Sequence, residues 1–541
     1  MNKFMKRTTI GSVMQGLCYG FAALLFAASC ANDNVTQDEK QNKDNIPAGA
    51  TVFTGTSQPD ETTRTAILNH TKGAGASVNW SSTDKIWVKD DAGTWQQSTT
   101  TIIPSAANPS YAKFALSGTY TGASHDILYT NMAVTGTQPQ VEIKAEQTQS
   151  APNNFDHAGE SGDCGIATGN KSGSDYAFTL DHKASYLCFI PRTSNEYVKR
   201  SKLIKVEIMS DDEIAGTYNM AADGTLTLAS GGSKTITVTT GSGFDIDNSA
   251  DDMSKNATYA VVAPGTHTFR IRYWLRNTTD NPQGEIEGTV SKIVTLNCTA
   301  GSIQDITANL NPHDYDGAKY YMWDAQEQYW KGYEWTKNLP AGVGQPTLNS
   351  WLPGGTTSSN YAQSNTDARY WNEGSGAFQA TQSCATLPNA NELSWYVVYG
   401  DPRWDEDELW STMGHLYHGG MWFKKKSVLQ ADSHYDTEKS ADGTTDMRTT
   451  QKTYDNYNSS VRDSGLPSVA DAGNYFYLPA LGEYNAGQLE YVGSHGYYWS
   501  SSADPQYIYN YASYNLYFLK FVVSVSSSYR RVGIKVDGKF E

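Results

Sequence analysis

From about Ala50 to Pro312 the chain carries no long stretch with the 3.6-residue apolar period of an amphipathic helix, which restricts its fold more than any other feature. Thr, Ser, Gly and Asn dominate there, with short β-patterned runs between turn signals. Phe269-Arg270-Ile271-Arg272-Tyr273 alternates apolar and polar residues, the period of a strand with one buried face. Leu226-Thr227-Leu228, then Ile236-Thr237-Val238 beyond Gly231-Gly232, reads as a hairpin. Leu203 to Met209 and Ile293 to Leu296 supply further strands. This length of β pattern suits two β-sandwiches.

Beyond residue 312 the character changes. Ten of the 14 Trp and 25 of the 35 Tyr lie there, so the chain joins at least two kinds of domain. Helical signals appear: Asn389 can cap a helix with Glu392 three residues on, and Gly400 suits its end. The acids Asp405-Glu406-Asp407-Glu408 read as the start of a second helix, where they would complement its N-terminus. Ala431 to Asn474 has few aliphatic residues and reads as a long, mobile insertion loop. Lys plus Arg is 41 against 57 for Asp plus Glu, a balance of −16. So acidic a chain argues against nucleic acid as a partner and against an anionic membrane surface.

The first residues read as an export signal. Lys3, Lys6 and Arg7 precede an apolar stretch, densest at Phe21 to Ala28, that is too short to span a bilayer. Ala27-Ala28-Ser29-Cys30 resembles the lipobox of bacterial lipoproteins, with Ala27 in place of the usual Leu. The resemblance implies a signal peptide over 1–29, acylation of Cys30 and anchoring to the outer membrane during export. A polar tether follows over 30–49. Of the other thiols, Cys164, Cys188, Cys298 and Cys384 show no metal-ligand spacing. A Cys164–Cys188 disulfide and buried free thiols both remain open.

The order of segments over 50–312 resembles the fimbrillin family of Bacteroidales lipoproteins, the subunits of type V pili. The matching pieces are Thr51-Val52-Phe53-Thr54 ahead of Thr63-Arg64-Thr65, and Val78-Asn79-Trp80 through Asp84-Lys85-Ile86-Trp87-Val88. Leu180-Asp181-His182-Lys183-Ala184 and a closing strand at Ile303 to Leu310 complete the set. The resemblance implies two transthyretin-like sandwiches, 50–175 and 176–312. It also implies donor-strand complementation between neighbouring pilins, opened by an Arg-specific protease that removes the first strand. Arg64 is the cleavage candidate by place, against an ordinary surface arginine. A sandwich missing a strand exposes backbone groups that a neighbour's extended segment can satisfy. Because this chain runs on into an aromatic domain instead of a donor segment, it is expected to end the fibre as a tip subunit on the cell surface.

Residues 313–541 resemble the major-paralogous domain of Bacteroidales and Fibrobacter surface proteins. The pieces are Leu387-Pro388-Asn389-Ala390-Asn391-Glu392, Tyr477-Leu478-Pro479, GYYWSS at 496–501, Leu516-Tyr517-Phe518 and Arg531-Val532-Gly533-Ile534-Lys535-Val536. That family is similar to the C-type-lectin-like fold, which the variable proteins of diversity-generating retroelements also use. The whole chain is thus expected to be mostly β: two sandwiches followed by an α+β, lectin-like domain. Between Trp499 and Gly533 the mix of Tyr, Ser and Asn is the one antibody paratopes favour. The expected ligand-binding surface is Ser502, Asp504, Tyr507, Tyr509, Asn510, Tyr511, Ser513, Tyr514 and Asn515, with Ser526, Ser527, Ser528, Tyr529 and Arg530. Tyr497, Trp499, Leu516 and Phe518 are assigned to the core. The ligand would lie on a host, bacterial or glycan surface.

Enzyme and metal signatures are weak. His415 and His418 could share a helical face, yet HExxH is absent. The acids from Asp401 to Glu408 form no DxDxDG loop. Leu387-Pro388-Asn389 lacks the leading acid or amide of a calcium-dependent sugar site, and Trp371-Asn372-Glu373 precedes it rather than following. Cys384 stands alone where a formylglycine-generating enzyme needs a pair, and no GxSxG occurs. Neither catalysis, a metal nor a cofactor is expected.

Overall fold

The computed structural model describes residues 46–541 except 57–66, 69, 74–78, 107, 282–283, 316, 334–346, 349–359, 464, 507–510, 537–539 and 541. Cys30 and Arg64, and Tyr507, Tyr509 and Asn510 of the expected ligand surface, therefore lie outside the described residues. The chain is mostly β, with 47% of it in strands and 8% in helix.

The first sheet contains the strand Thr51–Thr56 at an interior position, parallel to Asp175–Thr179 and antiparallel to Tyr111–Leu116. Its outermost strands, Trp95–Gln97 and Thr100–Ile102, are only two residues apart in the chain. The sheet must therefore curl until its edges meet, and it wraps around Phe53, Trp80, Ile86, Phe114, Ile127 and Phe178. Alternation drives this: in Thr51–Thr56, Phe53 is fully buried beneath Tyr120 and Tyr176.

The next sheets enclose a second core around Phe189, Val206, Ile208, Ile271 and Tyr273. The expected closing strand forms as Ile303–Asn309, parallel to Ser185–Arg192. The division expected near residue 176 falls inside Asp175–Thr179, a strand of the first sheet, while Gln140–Ile143 and Glu146–Thr148 pair with strands of the second core's sheets. His182, from the quoted Leu180 to Ala184 piece, is buried, with Nδ1 2.8 Å from Asp163 Oδ1, and Tyr186 donates to the same oxygen at 2.5 Å. The four cysteines are buried free thiols, so no Cys164–Cys188 disulfide forms.

Two local expectations fail. Leu226–Ser233 and Thr235–Asp245 do not pair with each other: the first joins Ala215–Met220, the second Ser201–Ser210. The intervening turn moves the chain between sheets rather than closing a hairpin. In the long ribbon of Gly265–Asn281 and Gly284–Cys298, Phe269, Ile271 and Tyr273 face the core as expected. The alternate residues Arg270 and Arg272 are buried as well, because the last domain covers that face.

This junction explains the acidic run. Residues 405–408 lie in the strand Arg403–Thr412, not in a helix, and Thr289 and Glu408 are partners across the boundary. The register shifts between Asp405 and Leu409. Arg272 donates to Glu207 at 3.1 Å and to Asp407 at 3.0 Å, with Asp405 3.7 Å away. Arg270 donates to the Pro467 carbonyl at 2.7 Å. Gly288 makes room for the approach, since a Cβ there would stand 2.5 Å from the Asp407 carbonyl oxygen. His415 and His418 lie in the neighbouring strand His415–Lys424, so they share no helical face.

Glu408 accepts from Ser291 N at 3.2 Å, from Ser291 Oγ at 2.6 Å and from Thr289 Oγ1 at 3.1 Å. Burial, with the Asp405 charge adding, outweighs these bonds and pushes its carboxyl up to about 7 from 4.5. A group whose folded pKa lies above its unfolded value stabilises fully below the unfolded value and loses that contribution as pH rises through the folded one. Unfolding of the junction is thus expected to become easier from pH 4.5 to 7, and Glu408→Gln to flatten that slope. Chemical denaturation across this window checks it.

The last domain centres on a sheet ordered Tyr320–Tyr321, Ile534–Lys535, His495–Ala503, Ala512–Leu519, Val522–Tyr529 and Tyr454–Asn456. Helix Ala390–Tyr399 packs beside it. Its capping box forms as expected: the Asn389 side chain accepts from Glu392 N at 3.0 Å, and Glu392 accepts from Asn389 N at 2.8 Å. Residues 431–474 are not a free loop. Met447 and Val461 are buried, Asn391 donates to Asp446 at 2.9 Å, and Trp395 Nε1 donates to the Lys439 carbonyl at 2.9 Å.

Candidate ligand-binding edge

The expected surface lies where His495–Ala503, Ala512–Leu519 and Val522–Tyr529 end together. Ala512 is opposite Tyr529, and Ser513 is opposite both Ala503 and Ser528. Strand alternation alone would put half of these side chains outward. Instead, both faces are covered over much of this end, and six of the expected contact residues are buried: Ser502, Asp504, Ser513, Tyr514, Asn515 and Arg530.

Each has work inside the domain. Ser502 Oγ accepts from Ala390 N at 3.1 Å, at the start of the helix, and donates to Gln379 Oε1 at 3.1 Å. Asp504 accepts from Gln506 N at 2.9 Å and from the Ser527 hydroxyl. The Tyr514 hydroxyl accepts from Lys452 N at 3.1 Å, beneath the 431–474 segment, and burial raises its pKa. Asn515 Nδ2 donates to Ser528 Oγ at 2.8 Å. Side chains so enclosed do not face solvent, so they cannot meet a ligand in this conformation.

Arg530 departs furthest from the sequence reading. Its guanidinium lies 4.7 Å from the Trp323 ring centre and 4.8 Å from that of Phe378. It donates to the carbonyls of Ala512 (3.0 Å), Asn372 (3.1 Å) and Gly374 (2.6 Å), and to Ser513 Oγ (2.9 Å). Burial pushes it down to about 10. It is a core cation.

What remains open is smaller. Tyr511 and Tyr529 are 42% and 50% exposed and stack at 5.5 Å between ring centres with planes 26° apart. Arg531 lies over the Tyr529 ring at 5.0 Å. Ser526, Ser527 and Ser528 are half-buried beside them. An aromatic pair with a cation and hydroxyls at its rim offers apolar area together with adaptable hydrogen bonds.

Trp499, Leu516 and Phe518 are buried as expected, whereas Tyr497 is only half-buried. Tyr497 pairs across strands with Tyr517, ring centres 5.0 Å apart, at the opposite end of the sheet. His495 and the 45% exposed Tyr491 extend that row. Sequence reasoning missed this row. The signal was present in the Tyr497 and Tyr517 positions, but strand propensity places Tyr497 in the core.

No protein-family model matches the chain, and no curated protein does. Among solved structures, a candidate cell adhesion protein of Bacteroides fragilis is similar at 10% identity over 48% of this chain and 92% of its own, with a TM-score of 0.28. Another from Bacteroides ovatus gives 13%, 48%, 91% and 0.29. A fimbrial protein of Bacteroides ovatus is similar at 12% identity over 90% of this chain and 98% of its own, with a TM-score of 0.23. Superpositions this loose carry no inference about the chain.

Proposed function

We propose that the chain is a cell-surface adhesion subunit of a type V-like pilus, lipid-exported through Cys30, whose last domain presents a ligand-binding edge at the tip. The observation that carries this reading is the exposed, stacked Tyr511–Tyr529 pair with Arg531 over it, at a sheet end where Ser502, Ser513, Tyr514 and Asn515 are buried. Exposed aromatic pairs of this kind cost solvation and are retained where a partner covers them.

The subunit role draws on Thr51–Thr56. It occupies an interior slot with a parallel neighbour on one side and an antiparallel one on the other. Cleavage at Arg64 would free that strand and open a groove lined by two rows of backbone donors and acceptors, which a neighbour's strand fits. The described C-terminal strands are paired within the chain, as a tip position requires. The lectin-like and retroelement-diversified character of the last domain belongs to the same proposal. A stalk or anchor subunit, or a glycan-binding lipoprotein outside any fibre, is the alternative.

Adhesion of the purified chain to host epithelial and bacterial cells tests the edge. Tyr511→Ser with Tyr529→Ser is expected to weaken adhesion at least tenfold, about 1.4 kcal/mol or more, because paired aromatic anchors dominate such contacts. The melting temperature should change little, since both side chains are about half exposed. Unchanged adhesion would move the binding surface elsewhere.

A further inference from the structure

A cluster outside the sheet ends combines three chemistries that the adhesion reading does not use. His70, Cys188 and Asp305 each present a ligand atom, all within 4.8 Å of one another, and among the described residues no other such trio comes this close. They arrive from three separate segments. Cys188 and Asp305 are register partners on the adjacent parallel strands Ser185–Arg192 and Ile303–Asn309, so their side chains share a face. His70 comes from the segment after Ile67–Leu68, a strand that itself pairs with Asn154–Phe155.

We propose that His70, Cys188 and Asp305 form a binding site for one divalent transition-metal ion of zinc-like character. A thiolate, an imidazole and a carboxylate are the ligand set that such ions prefer over calcium or magnesium. Charge balances, because one thiolate and one carboxylate neutralise a dication. Tetrahedral zinc with bonds of about 2.0–2.3 Å holds its ligand atoms roughly 3.3–3.6 Å apart. His70 Nε2 and Asp305 Oδ1 stand at 2.8 Å and so need part by only about half an ångström.

The surroundings fit. The second Asp305 oxygen accepts from Gly73 N at 2.7 Å, which orients the carboxylate without occupying its ligand atom. The His70 side chain is fully buried, with Nε2 turned to Asp305 Oδ1. Imidazole, thiol and carboxylate are gathered at one place, where a shared cation would compensate the burial of all three. Asp305 keeps 14% of its side chain open, so the trio borders solvent at the carboxylate. Bound metal would staple residues 70–73 to the second core's strands.

Cobalt titration of the chelator-stripped full chain tests the site without reference to adhesion. One equivalent should bind, with a thiolate-to-cobalt charge-transfer band that zinc bleaches. Cys188→Ser should lose the band, and His70→Gln and Asp305→Asn should each weaken binding at least tenfold. Cys384→Ser, remote from the trio, should keep both. Should Cys188→Ser fail to fold, His70→Gln and Asp305→Asn carry the test. No uptake, uptake without the band, or uptake unchanged in the trio variants would overturn the proposal.

Discussion

Arg530→Met should destabilise the last domain by about 3–5 kcal/mol. The guanidinium serves four acceptors: the carbonyls of Asn372 and Gly374 and the Ser513 hydroxyl lose its bonds together, while the Ala512 carbonyl keeps Asp504 N at 3.2 Å. A buried polar group left unpaired costs about 1–3 kcal/mol, so two partly enclosed carbonyls together with the lost Ser513 bond place the loss in that range. Met refills the space between Trp323 and Phe378, which isolates the hydrogen-bond loss from a cavity effect. Arg530→Lys should recover little, because an ammonium cannot span the same fork of acceptors. Thermal melting followed by tryptophan fluorescence reads the effect. A variant that melts like the parent but loses adhesion would return Arg530 to the ligand surface.

Arg272→Met is expected to cost a similar amount, about 3–5 kcal/mol, at the junction between the second core and the last domain. Arg272 neutralises Asp407 and Glu207 and stands near the buried Asp405, whose carboxylate also accepts from Trp422 Nε1 at 3.0 Å. Removing the cation leaves enclosed like charges, which is far more damaging than losing an exposed ion pair. Asp407→Asn should cost much less, since its side chain is 36% exposed. The informative readout is limited proteolysis in 311–316, which should accelerate sharply in Arg272→Met. Equal protection in parent and variant would show that the strand pairing holds the junction without the charges.

Much of the architecture was legible where local pattern and burial coincide. Phe269, Ile271 and Tyr273 face a core because alternation says so, and Asn389 caps its helix because the box Asn-x-x-Glu satisfies two backbone groups at once. Illegible features were those decided by distant segments. The run Asp405 to Glu408 looked like a helix start because its cations, Arg270 and Arg272, lie some 135 residues earlier. The pair 226–228 and 236–238 looked like a hairpin because nothing local reveals a change of sheet. The Tyr, Ser and Asn cluster looked like a paratope, yet much of it is sealed by 431–474, by the helix start and by Gln379. The direction of those side chains is set by cover that no window of sequence contains.

The pairing of Thr289 with Glu408 makes one sheet run from the second core into the last domain, with Gly288 allowing the backbones to meet. Mechanically this is a weld rather than a hinge. The exposed tyrosine pair sits on the neighbouring six-stranded sheet, so a pull on it would reach the shared sheet through side-chain packing such as Phe518 on Phe423, ring centres 5.9 Å apart, instead of swivelling a tether.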